Sequence, residues 1–461
     1  MNLRYGIGMR LPRFLQHRQL INGVAILAVT QFGASLAGLL RENVLARVFA
    51  GNLNVVDAYI AAFNPSDLIF QTCVVSAMGT VLVPILANYK AKGDDKEVQK
   101  VLSGTIGMTA ILFGIVALLM AVFFPLLTPL FNIHFTGDTL QLYIQLGRLA
   151  LLSNFLFVFG NAYGQYLVTV ERYWIYGITP ILYSLGTVFG TLYLTRYVGP
   201  FAPMYGTLLG AIIYVILRML AVHLHGCKIR FSLWHPDLPQ MARLMLPRVL
   251  SLGALQLQLL YLNGFASGLW TGAVVVNNYS RNFQSVLVGV VGISVAQAVY
   301  SRMSQAVVKR DAKRLRYYFR SGIFTTLLLT MLGGVAMYFL SPFEARLVHL
   351  SPYLHTFSIL LGIYAISIPF ESVTHIQYRV LYAMKNTFFA AFMGVLGGVV
   401  AIIVGWIFLG RFGIYALAIG YTTGEIVQAT GLAILLPSMM RKMMTSKPET
   451  IAVLDSMELK T

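Results

Sequence analysis

Ionisable side chains lie inside apolar helical segments near the start of this 461-residue chain. Arg41 and Glu42 are adjacent in the first apolar segment, and Asp57 and Asp67 lie on either side of Pro65 in the second. Charged groups are costly in hydrocarbon, so they normally face a protein interior or a water-filled cavity. We interpret them as the lining of a substrate path. A self-satisfied ion pair between helices is the structural alternative.

A second polar surface is predicted in the other half of the chain. Arg281 and Asn282 lie in the run NNYSRNFQS, within a helical stretch that is otherwise rich in valine and glycine. The nearby Gly289 and Gly292 indicate ordinary close packing between helices. The polar run therefore predicts a ligand-facing surface, and the glycines predict the contact that holds it in place.

Other intramembrane groups suggest gating or coupling. Glu371, His375 and Arg379 recur every four residues and so share one helix face. They favour a proton or cation relay or, about equally, a structural charge ladder. Glu425 is a single carboxyl in an apolar helix, either functional or simply hydrogen-bonded to a neighbour. A proline at membrane depth kinks its helix and frees a carbonyl, which fits a moving gate. The gating or coupling candidates are Pro65, Asp67, Glu371, His375, Arg379 and Glu425.

The elements that position these groups are predicted to be membrane-spanning helices. The chain is 57% hydrophobic and 11% charged, with a mean hydropathy of +0.73, which excludes a soluble globular protein. A span needs about 20 apolar residues to cross a hydrocarbon core of about 30 Å. Twelve spans are predicted, at 20–47, 55–89, 101–131, 142–170, 173–195, 204–224, 246–269, 271–302, 317–341, 356–382, 386–409 and 413–437.

The net charge of +18 follows membrane topology and does not indicate nucleic-acid binding. Basic residues gather in alternate loops, whereas the other loops keep only Arg196, Arg346 and Arg411. The positive-inside rule then predicts a multi-pass bacterial inner-membrane protein with both termini cytoplasmic. Residues 1–19 form a predicted basic amphipathic arm on the membrane surface, and residues 441–461 form a cytoplasmic tail.

The chain also repeats itself. The stretch from Met78 is echoed by the stretch from Val291, at an offset of about 215 residues. Six spans per half keep both halves in the same orientation, which predicts a parallel repeat about an axis along the membrane normal. The fold class is therefore an all-α integral membrane protein, with six-helix lobes at 20–235 and 236–440 and a central cleft.

Enzyme and pump motifs are absent from the sequence. It contains no Walker A, HExxH or GxSxG motif, and its two cysteines give no disulfide framework or metal-ligand spacing. These observations predict a transporter rather than an enzyme, with no resident metal and no cofactor.

Three motifs in the first two spans resemble those of the MurJ/MviN lipid II flippase family, in the multidrug/oligosaccharidyl-lipid/polysaccharide exporter superfamily. The family pattern is G-x-x-R-[DE]-x-x-x-A-x-x-F-G, then D-A-[FY]-x-x-A-F-[RK]-x-P, then V-P-x-[LF]-x-x-Y. A looser similarity extends over about residues 20–437. The matching residues are Gly38, Arg41, Glu42, Ala46, Phe49, Asp57, Ala58, Tyr59, Ala62, Phe63, Pro65, Val83, Pro84, Leu86 and Tyr89.

The resemblance implies a V-shaped, two-lobe transporter. It would move lipid II, a polyprenyl-diphosphate-linked peptidoglycan precursor, across the inner membrane by alternating access, and so serve cell wall biogenesis and cell shape. Arg41 matches a first-helix arginine that holds the head group in this family, and Asp57 matches the second-helix acid. Arg281 lies within one residue of the eighth-helix arginine. Asn64 replaces the family's basic residue before the proline, and the two extra C-terminal helices of longer members are missing after the twelfth span.

The expected partners follow from this resemblance. Arginines would bind the diphosphate through charge-assisted hydrogen bonds, and the membrane potential or a coupling cation near Glu371 or Glu425 would bias the cycle. Membrane lipids and cell-wall synthesis proteins are further expected partners, and nucleic acid is not. The predicted substrate-binding residues are Arg41, Glu42, Asp57, Arg281 and Asn282.

Two alternatives remain open from the sequence. The same scaffold could export another lipid-linked oligosaccharide or a cationic amphiphile, and the missing second-helix arginine favours this reading. A non-transporting scaffold for envelope enzymes is the second alternative. It predicts that neutralising the intramembrane charges lowers stability without affecting transport.

Overall fold

The computed structural model describes residues 13–76, 78, 82–229, 232–384 and 386–445. Within these ranges every regular element is helical, which confirms the predicted all-α class. The predicted arm and tail are described only from Arg13 and only as far as Thr445. Helix α1 begins at Arg13, so the end of the predicted arm continues directly into the first span.

The first half of the chain forms eight α-helices. Their bounds are α1 Arg13–Val48, α2 Asn54–Phe70, α3 Val83–Ala91, α4 Asp95–Leu127, α5 Gly137–Thr169, α6 Tyr173–Phe189, α7 Thr195–Val198 and α8 Ala202–Leu224. A π-helical turn, Gln71–Val75, follows α2, and a second, Gly190–Leu194, joins α6 to α7. Pro65 lies inside α2, as predicted, six residues before the π-helical turn.

The second half forms seven more. Their bounds are α9 Leu238–Ser267, α10 Ala273–Leu287, α11 Ser294–Val308, α12 Ala312–Leu347, α13 Leu354–Ala383, α14 Thr387–Phe412 and α15 Tyr415–Thr445. A π-helical turn, Val288–Ile293, joins α10 to α11. Each predicted span overlaps helical structure among the described residues, with α2 and α3 in the second span and α10 and α11 in the eighth.

Seven helical stretches of the described chain are long and apolar enough to cross a membrane. They are Asp95–Leu127, Gly137–Thr169, Tyr173–Leu224, Ala273–Val307, Ala312–Leu347, Ser351–Ala383 and Thr387–Phe412. Their length and composition agree with the predicted multi-pass architecture.

The backbone itself carries the internal repeat. The π-helical turns that begin at Gln71 and Val288 lie about 215 residues apart, the offset seen in the sequence. Left-handed residues recur at the same offset, although most non-glycine residues avoid this conformation. The matched pairs are Gly93 with Arg310, Asn132 with His349, and Gly199 with Gly413. Equivalent turns therefore interrupt the helices at equivalent places in both halves.

The described chain forms two compact units. One comprises Met1–Arg41, Met78–Ala110 and Leu156–Leu238, and the other comprises Glu42–Ala77, Ile111–Phe155 and Pro239–Thr461. These units group the segments differently from the predicted lobes, which remain a prediction based on the sequence repeat.

Glycines set the closest helix contacts in both units. In the first unit a Cβ added at Gly190 of α6–α7 would lie 2.4 Å from the Cα of Gly206 on α8. In the second unit a Cβ at Gly420 of α15 would lie 2.5 Å from the carbonyl oxygen of Ala401 on α14. Small residues let membrane helices approach closely enough for backbone atoms to touch. The fifth and sixth spans of each half are thus packed through backbone contact.

The linker between α8 and α9 lies against the start of α4 in the first unit. A Cβ added at Gly107 would overlap the carbonyl oxygen of Ser232, and one added at Gly104 would lie 3.3 Å from the backbone carbonyl of Trp234. His235 is buried and its Nε2 lies 3.1 Å from Glu97 Oε2. Since the Asp237 amide donates to His235 Nδ1 at 3.1 Å, the proton of a neutral ring resides on Nε2 and is donated to Glu97. The linker is thus held as a cover over this face of α4.

Candidate substrate and coupling site

Glu42 and Asn282, both predicted to bind substrate, are in direct contact in the second unit. Asn282 Nδ2 donates to Glu42 Oε1 at 2.6 Å and to Asn278 Oδ1 at 3.0 Å. The Tyr279 hydroxyl donates to the backbone oxygen of Glu42 at 3.1 Å. Glu42 is only 4% exposed, so its carboxyl is held by α10 rather than by water. The end of α1 is therefore fixed to the middle of α10.

Arg281 is positioned through the same asparagine. Its Nη2 donates to Asn282 Oδ1 at 3.4 Å, a long hydrogen bond, and its side chain is half-buried. The asparagine thus uses its oxygen on the arginine and its nitrogen on Glu42, which orients both groups. Arg41 is also half-buried, but it belongs to the first unit, where it ends that unit's first segment. The structure therefore brings together Glu42, Arg281 and Asn282 of the predicted set.

Asp57 occupies a capping position at the start of α10. Its Oδ2 accepts from the amide of Gly272 at 2.5 Å and its Oδ1 from the amide of Val275 at 2.8 Å. A carboxylate at a helix N-terminus satisfies amides that lack an intrahelical partner and interacts favourably with the helix dipole. Asp57 is 1% exposed, so the structure gives it a positioning role, and its predicted contact with substrate remains a prediction.

Asp67 and its neighbours connect α2 to other helices of the second unit. Asn154 of α5 donates to Asp67 Oδ1 at 2.9 Å and to Ser66 Oγ at 2.7 Å. One turn earlier, Asn64 Oδ1 lies 3.4 Å from the amide nitrogen of Asn263 on α9. The segment around Pro65 is thus polar on two sides. A bend there would require these interhelical hydrogen bonds to move.

Glu371 is the centre of a polar network on α13. Its Oε2 accepts from Gln284 Nε2 at 2.6 Å and from the Tyr421 hydroxyl at 2.9 Å. The amide of Gln284 also donates to Ser367 Oγ at 3.2 Å. Tyr364 donates to Asn277 on α10 at 2.8 Å, so α10 and α13 are joined at two levels. Buried polar groups of this kind are stabilising only when they are hydrogen-bonded to one another.

The remaining coupling candidates surround this network. Glu425 lies one turn after Tyr421 on α15, is 7% exposed and interacts electrostatically with Glu371. His375 interacts electrostatically with both Glu371 and Arg379. The Arg379 guanidinium lies 5.3 Å from the ring centroid of Tyr300 on α11. Two carboxyls on facing helices are therefore brought together, with a histidine and an arginine along the same helix.

Arg218 of α8 is a buried cation that sequence reasoning missed. It is 2% exposed, and its Nε donates to Thr179 Oγ1 at 2.8 Å. Its Nη1 donates to the Gly160 carbonyl at 2.8 Å and to the Tyr214 hydroxyl, and its Nη2 to the Tyr176 carbonyl at 2.7 Å. The guanidinium also lies over the rings of both tyrosines. Arg218 thereby links α5, α6 and α8 of the first unit. The sequence feature that could have identified it is an arginine inside an apolar span.

Metal chemistry is not supported by the described part of the chain. Within it, no group of three or more histidine, cysteine, aspartate or glutamate side chains could hold a metal ion. Asparagine, glutamine, tyrosine and serine make most of the contacts around the carboxyls described above.

Known proteins similar to this chain are lipid II flippases by name. A "Lipid II flippase MurJ" of Burkholderia cenocepacia is 23% identical over 339 residues, which cover 70% of this chain and 65% of that protein. A "Probable lipid II flippase MurJ" of Bdellovibrio bacteriovorus is 19% identical over 438 residues, covering 91% and 82%. The chain thus spans slightly less than two thirds of the Burkholderia relative.

Solved structures give the same fold. A structure of "Lipid II flippase MurJ, inward closed conformation" matches with a TM-score of 0.77 and 21% identity, over 90% of this chain and 87% of that one. A structure of an inward-facing multidrug resistance MATE family transporter of the MOP superfamily also matches with a TM-score of 0.77. The identity is 15%, and the match covers 90% of this chain and 96% of that one. These likenesses confirm the predicted fold class.

The family assignment rests on a family model described as lipid II flippase MurJ. It matches residues 24–457, so it includes both halves of the repeat. The predicted transporter class, as opposed to an enzyme, is confirmed, and the chain is a multi-pass membrane protein. Because that match covers nearly the whole sequence, the chain belongs to the lipid II flippase MurJ family.

Proposed function

We propose that this protein translocates lipid II, a polyprenyl-diphosphate-linked peptidoglycan precursor, across the bacterial inner membrane. The observation that carries this proposal is the MurJ family match over residues 24–457. The buried polar network of the second unit supports it, because polar groups at membrane depth mark substrate and ion paths. The lipid tail stays in the bilayer while the charged head group crosses.

The head group is anionic, and the arginines recognise it. Arg41 and Arg281 supply charge-assisted hydrogen bonds to the diphosphate. Asn282 supports this role for Arg281, because it holds the guanidinium at one end and Glu42 at the other. Glu42 and Asp57 act on the site indirectly, by fixing the positions of α1 and α10.

Alternating access requires helices that can bend. Pro65 removes one backbone hydrogen bond from α2, and the π-helical turns at Gln71–Val75 and Val288–Ile293 interrupt the second helix of each repeat. Bends at these two equivalent places move the polar segments from one side to the other. Asp67 restrains this movement through its hydrogen bond with Asn154.

The energy source is the membrane potential or a coupled cation, without a cofactor. One elementary charge moved across 100 mV is worth about 2.3 kcal/mol. The coupling groups are Glu371 and Glu425, which interact electrostatically, with His375 and Arg379 on the same face of α13 as Glu371. Both chain termini are cytoplasmic, as the distribution of basic residues indicates, and cell-wall synthesis proteins are the expected partners.

Genetic rescue tests the proposal. A bacterium depleted of its own lipid II flippase receives the wild-type gene, Arg41→Ala, Arg281→Ala or the control Arg411→Ala. The control removes an exposed arginine near the end of α14. We expect rescue by the wild type and the control, and loss of rescue by the first two variants at equal membrane levels. A well-expressed wild type that fails to rescue contradicts lipid II as substrate.

An exporter of cationic amphiphiles is the second candidate. The closely spaced carboxyls of Glu371 and Glu425 favour it, since a buried acidic pair attracts a cation. Transport assays in vesicles separate the two, because a cation exporter should confer efflux of a lipophilic cation that depends on Glu371. Efflux without lipid II rescue would replace the first proposal with the second.

A further inference from the structure

One face of α12 carries a row of basic and aromatic side chains. Lys313, Arg316 and Arg320 recur at three- and four-residue intervals, so they share one side of the helix. All three are exposed, and Tyr317 between them is 67% exposed. An open groove of about 560 Å³ runs along these residues. We refer to it as the α12 groove.

The cations lie at the depth of the lipid head groups. Beyond Tyr317, large exposed apolar side chains on α12 run from Phe324, which is 69% exposed, to Leu347 at the end of the helix. At about 1.5 Å per residue this band is about 35 Å long, enough to cross a hydrocarbon core of about 30 Å. Arg320 stands one turn before the band and Lys313 about three turns before it. They therefore occupy the interfacial layer.

Acidic neighbours do not neutralise this face. Asp311 is the only carboxyl between residues 309 and 324, and its Oδ2 lies 3.2 Å from Arg314 Nε. Its Oδ1 accepts from the Arg314 amide at 3.0 Å, so it also caps α12. Arg314 itself projects from a different side of the helix than the groove. The positive charge of the α12 groove is thus available to a ligand.

The first repeat shows the same surface in a covered form. Arg320 and Phe324 correspond to Ser103 and Gly107 of α4, at the repeat offset of about 215 residues. There Ser103 is buried and Gly107 lies beneath Ser232 of the α8–α9 linker. The α12 groove is lined only by residues of α12 among those the structure describes. Arg320 and Phe324 of α12 thus occupy the positions at which α4 has the small residues Ser103 and Gly107, which are covered by the α8–α9 linker.

We propose that the α12 groove binds the phosphate of an anionic membrane phospholipid. The two arginines and the lysine contact the phosphate oxygens, as guanidinium and ammonium groups do in lipid head-group sites. Tyr317 packs beside the glycerol region, and Phe324 lies along the first methylenes of the acyl chain. A soluble phosphate would gain the charge contacts but not the apolar contact. None of its residues is among those proposed to bind the substrate, so this proposal does not depend on the substrate being lipid II.

Native mass spectrometry of the purified full chain tests this proposal, with phosphatidylglycerol and phosphatidylcholine as probes. The variant K313Q/R316Q/R320Q removes the three cations. Each interfacial cation contributes on the order of 1 kcal/mol, so we expect phosphatidylglycerol binding to weaken about 100-fold at low salt. Phosphatidylcholine binding should not change, and that result shows that the variant is folded.

The matched control is R196Q/R346Q/R411Q, which removes three exposed arginines from other helix ends. We expect it to bind phosphatidylglycerol like the wild type. Equal weakening in both triple variants, or none in the α12 variant, overturns the proposal. Inorganic phosphate should displace the lipid only weakly. Displacement by inorganic phosphate as efficient as by soluble phosphatidylglycerol would show an anion site rather than a phospholipid site, and also overturns it.

Discussion

Gln284 donates a 2.6 Å hydrogen bond to Glu371, and the equivalent positions of the first repeat hold Asp67 and Asn154 with the roles exchanged. In the first repeat the carboxyl is on α2 and the amide on α5. In the second the amide is on α10 and the carboxyl on α13. The same bridge between equivalent helices is therefore built twice, but its carboxyl is carried by the opposite partner.

Exchanging the pair in the second repeat should preserve the bridge. Glu371→Leu removes the acceptor used by Gln284 and Tyr421, and we expect it to lower the free energy of unfolding by about 2–4 kcal/mol. The double variant Gln284→Glu with Glu371→Gln should recover most of that loss. Thermal unfolding in detergent measures both effects. If the exchanged pair is as unstable as the single variant, the hydrogen bond is not what stabilises these helices.

Asp57 should stabilise the start of α10. Asp57→Ala removes the acceptor of the Gly272 and Val275 amides, so we expect a loss of about 1–2 kcal/mol and faster hydrogen exchange in this turn. Exchange followed by mass spectrometry reports on residues 272–276. Asp138→Ala, which removes an exposed aspartate from the first turn of α5, is the control and should leave that peptide unchanged. Unchanged exchange in Asp57→Ala would refute the capping role.

Arg218 should be essential for the stability of the first unit. Arg218→Met removes four hydrogen bonds and two ring contacts from a buried site, and we expect a loss of at least about 3 kcal/mol. Arg218→Lys should recover only part of it, because an ammonium cannot reach all of the acceptors at once. Thermal unfolding midpoints measure both effects, and Arg196→Met, at an exposed arginine, is the control that should leave the midpoint unchanged. Equal midpoints for the two methionine variants would contradict this role.

The contact between α14 and α15 should not tolerate a methyl group. In Gly420→Ala the new Cβ would lie 2.5 Å from the Ala401 carbonyl oxygen and 2.8 Å from the Gly405 nitrogen. Both are backbone atoms, so the helices must separate, at a cost of about 1–3 kcal/mol. Gly410→Ala has open space around its Cβ and should be neutral or slightly stabilising. Similar unfolding midpoints for the two variants would show that this contact can relax.

Cys227 should react slowly in the folded protein. Burial raises the pKa of its thiol to about 11, so the thiol stays protonated at pH 8 and forms thiolate only as the pH rises toward that value. Relative to an ordinary thiol, the thiolate fraction at pH 8 is lower by about 200-fold. Maleimide labelling in a Cys73→Ser background should therefore be slow when folded and fast in denaturant. Equal rates in both conditions would exclude a buried thiol.

Hydropathy was sufficient to predict the helices, but not their partners. Seven helical stretches of the described chain are long apolar runs, and the repeat could be recognised from Met78 and Val291 because equivalent turns keep similar residues. The sequence singles out Asp57 as a charge inside an apolar segment. Its partners, however, are amides more than 200 residues away at the start of α10, and no local pattern encodes such packing.

The face shared by Glu371, His375 and Arg379 shows the same limit. Their spacing predicts a common helix face, and the structure keeps His375 electrostatically linked to both neighbours. The residues that Glu371 and Arg379 contact directly lie on other helices. Glu371 accepts a hydrogen bond from Tyr421 of α15, and Arg379 lies over the ring of Tyr300 of α11. The spacing of residues along one helix determines the direction in which their side chains point. The packing of helices against each other determines which residues those side chains contact.

The polar network also affects how the protein is made. The helices α2, α9 and α15 hold Asp57, Asn263 and Glu425 among their buried side chains. An acidic residue at the centre of a helix adds about 2.5–3.5 kcal/mol to insertion by the translocon. Such helices enter the bilayer only with partners that satisfy their polar groups. The amides that donate to Asp57 are synthesised more than 200 residues after it, so these hydrogen bonds can form only once the start of α10 has emerged from the ribosome.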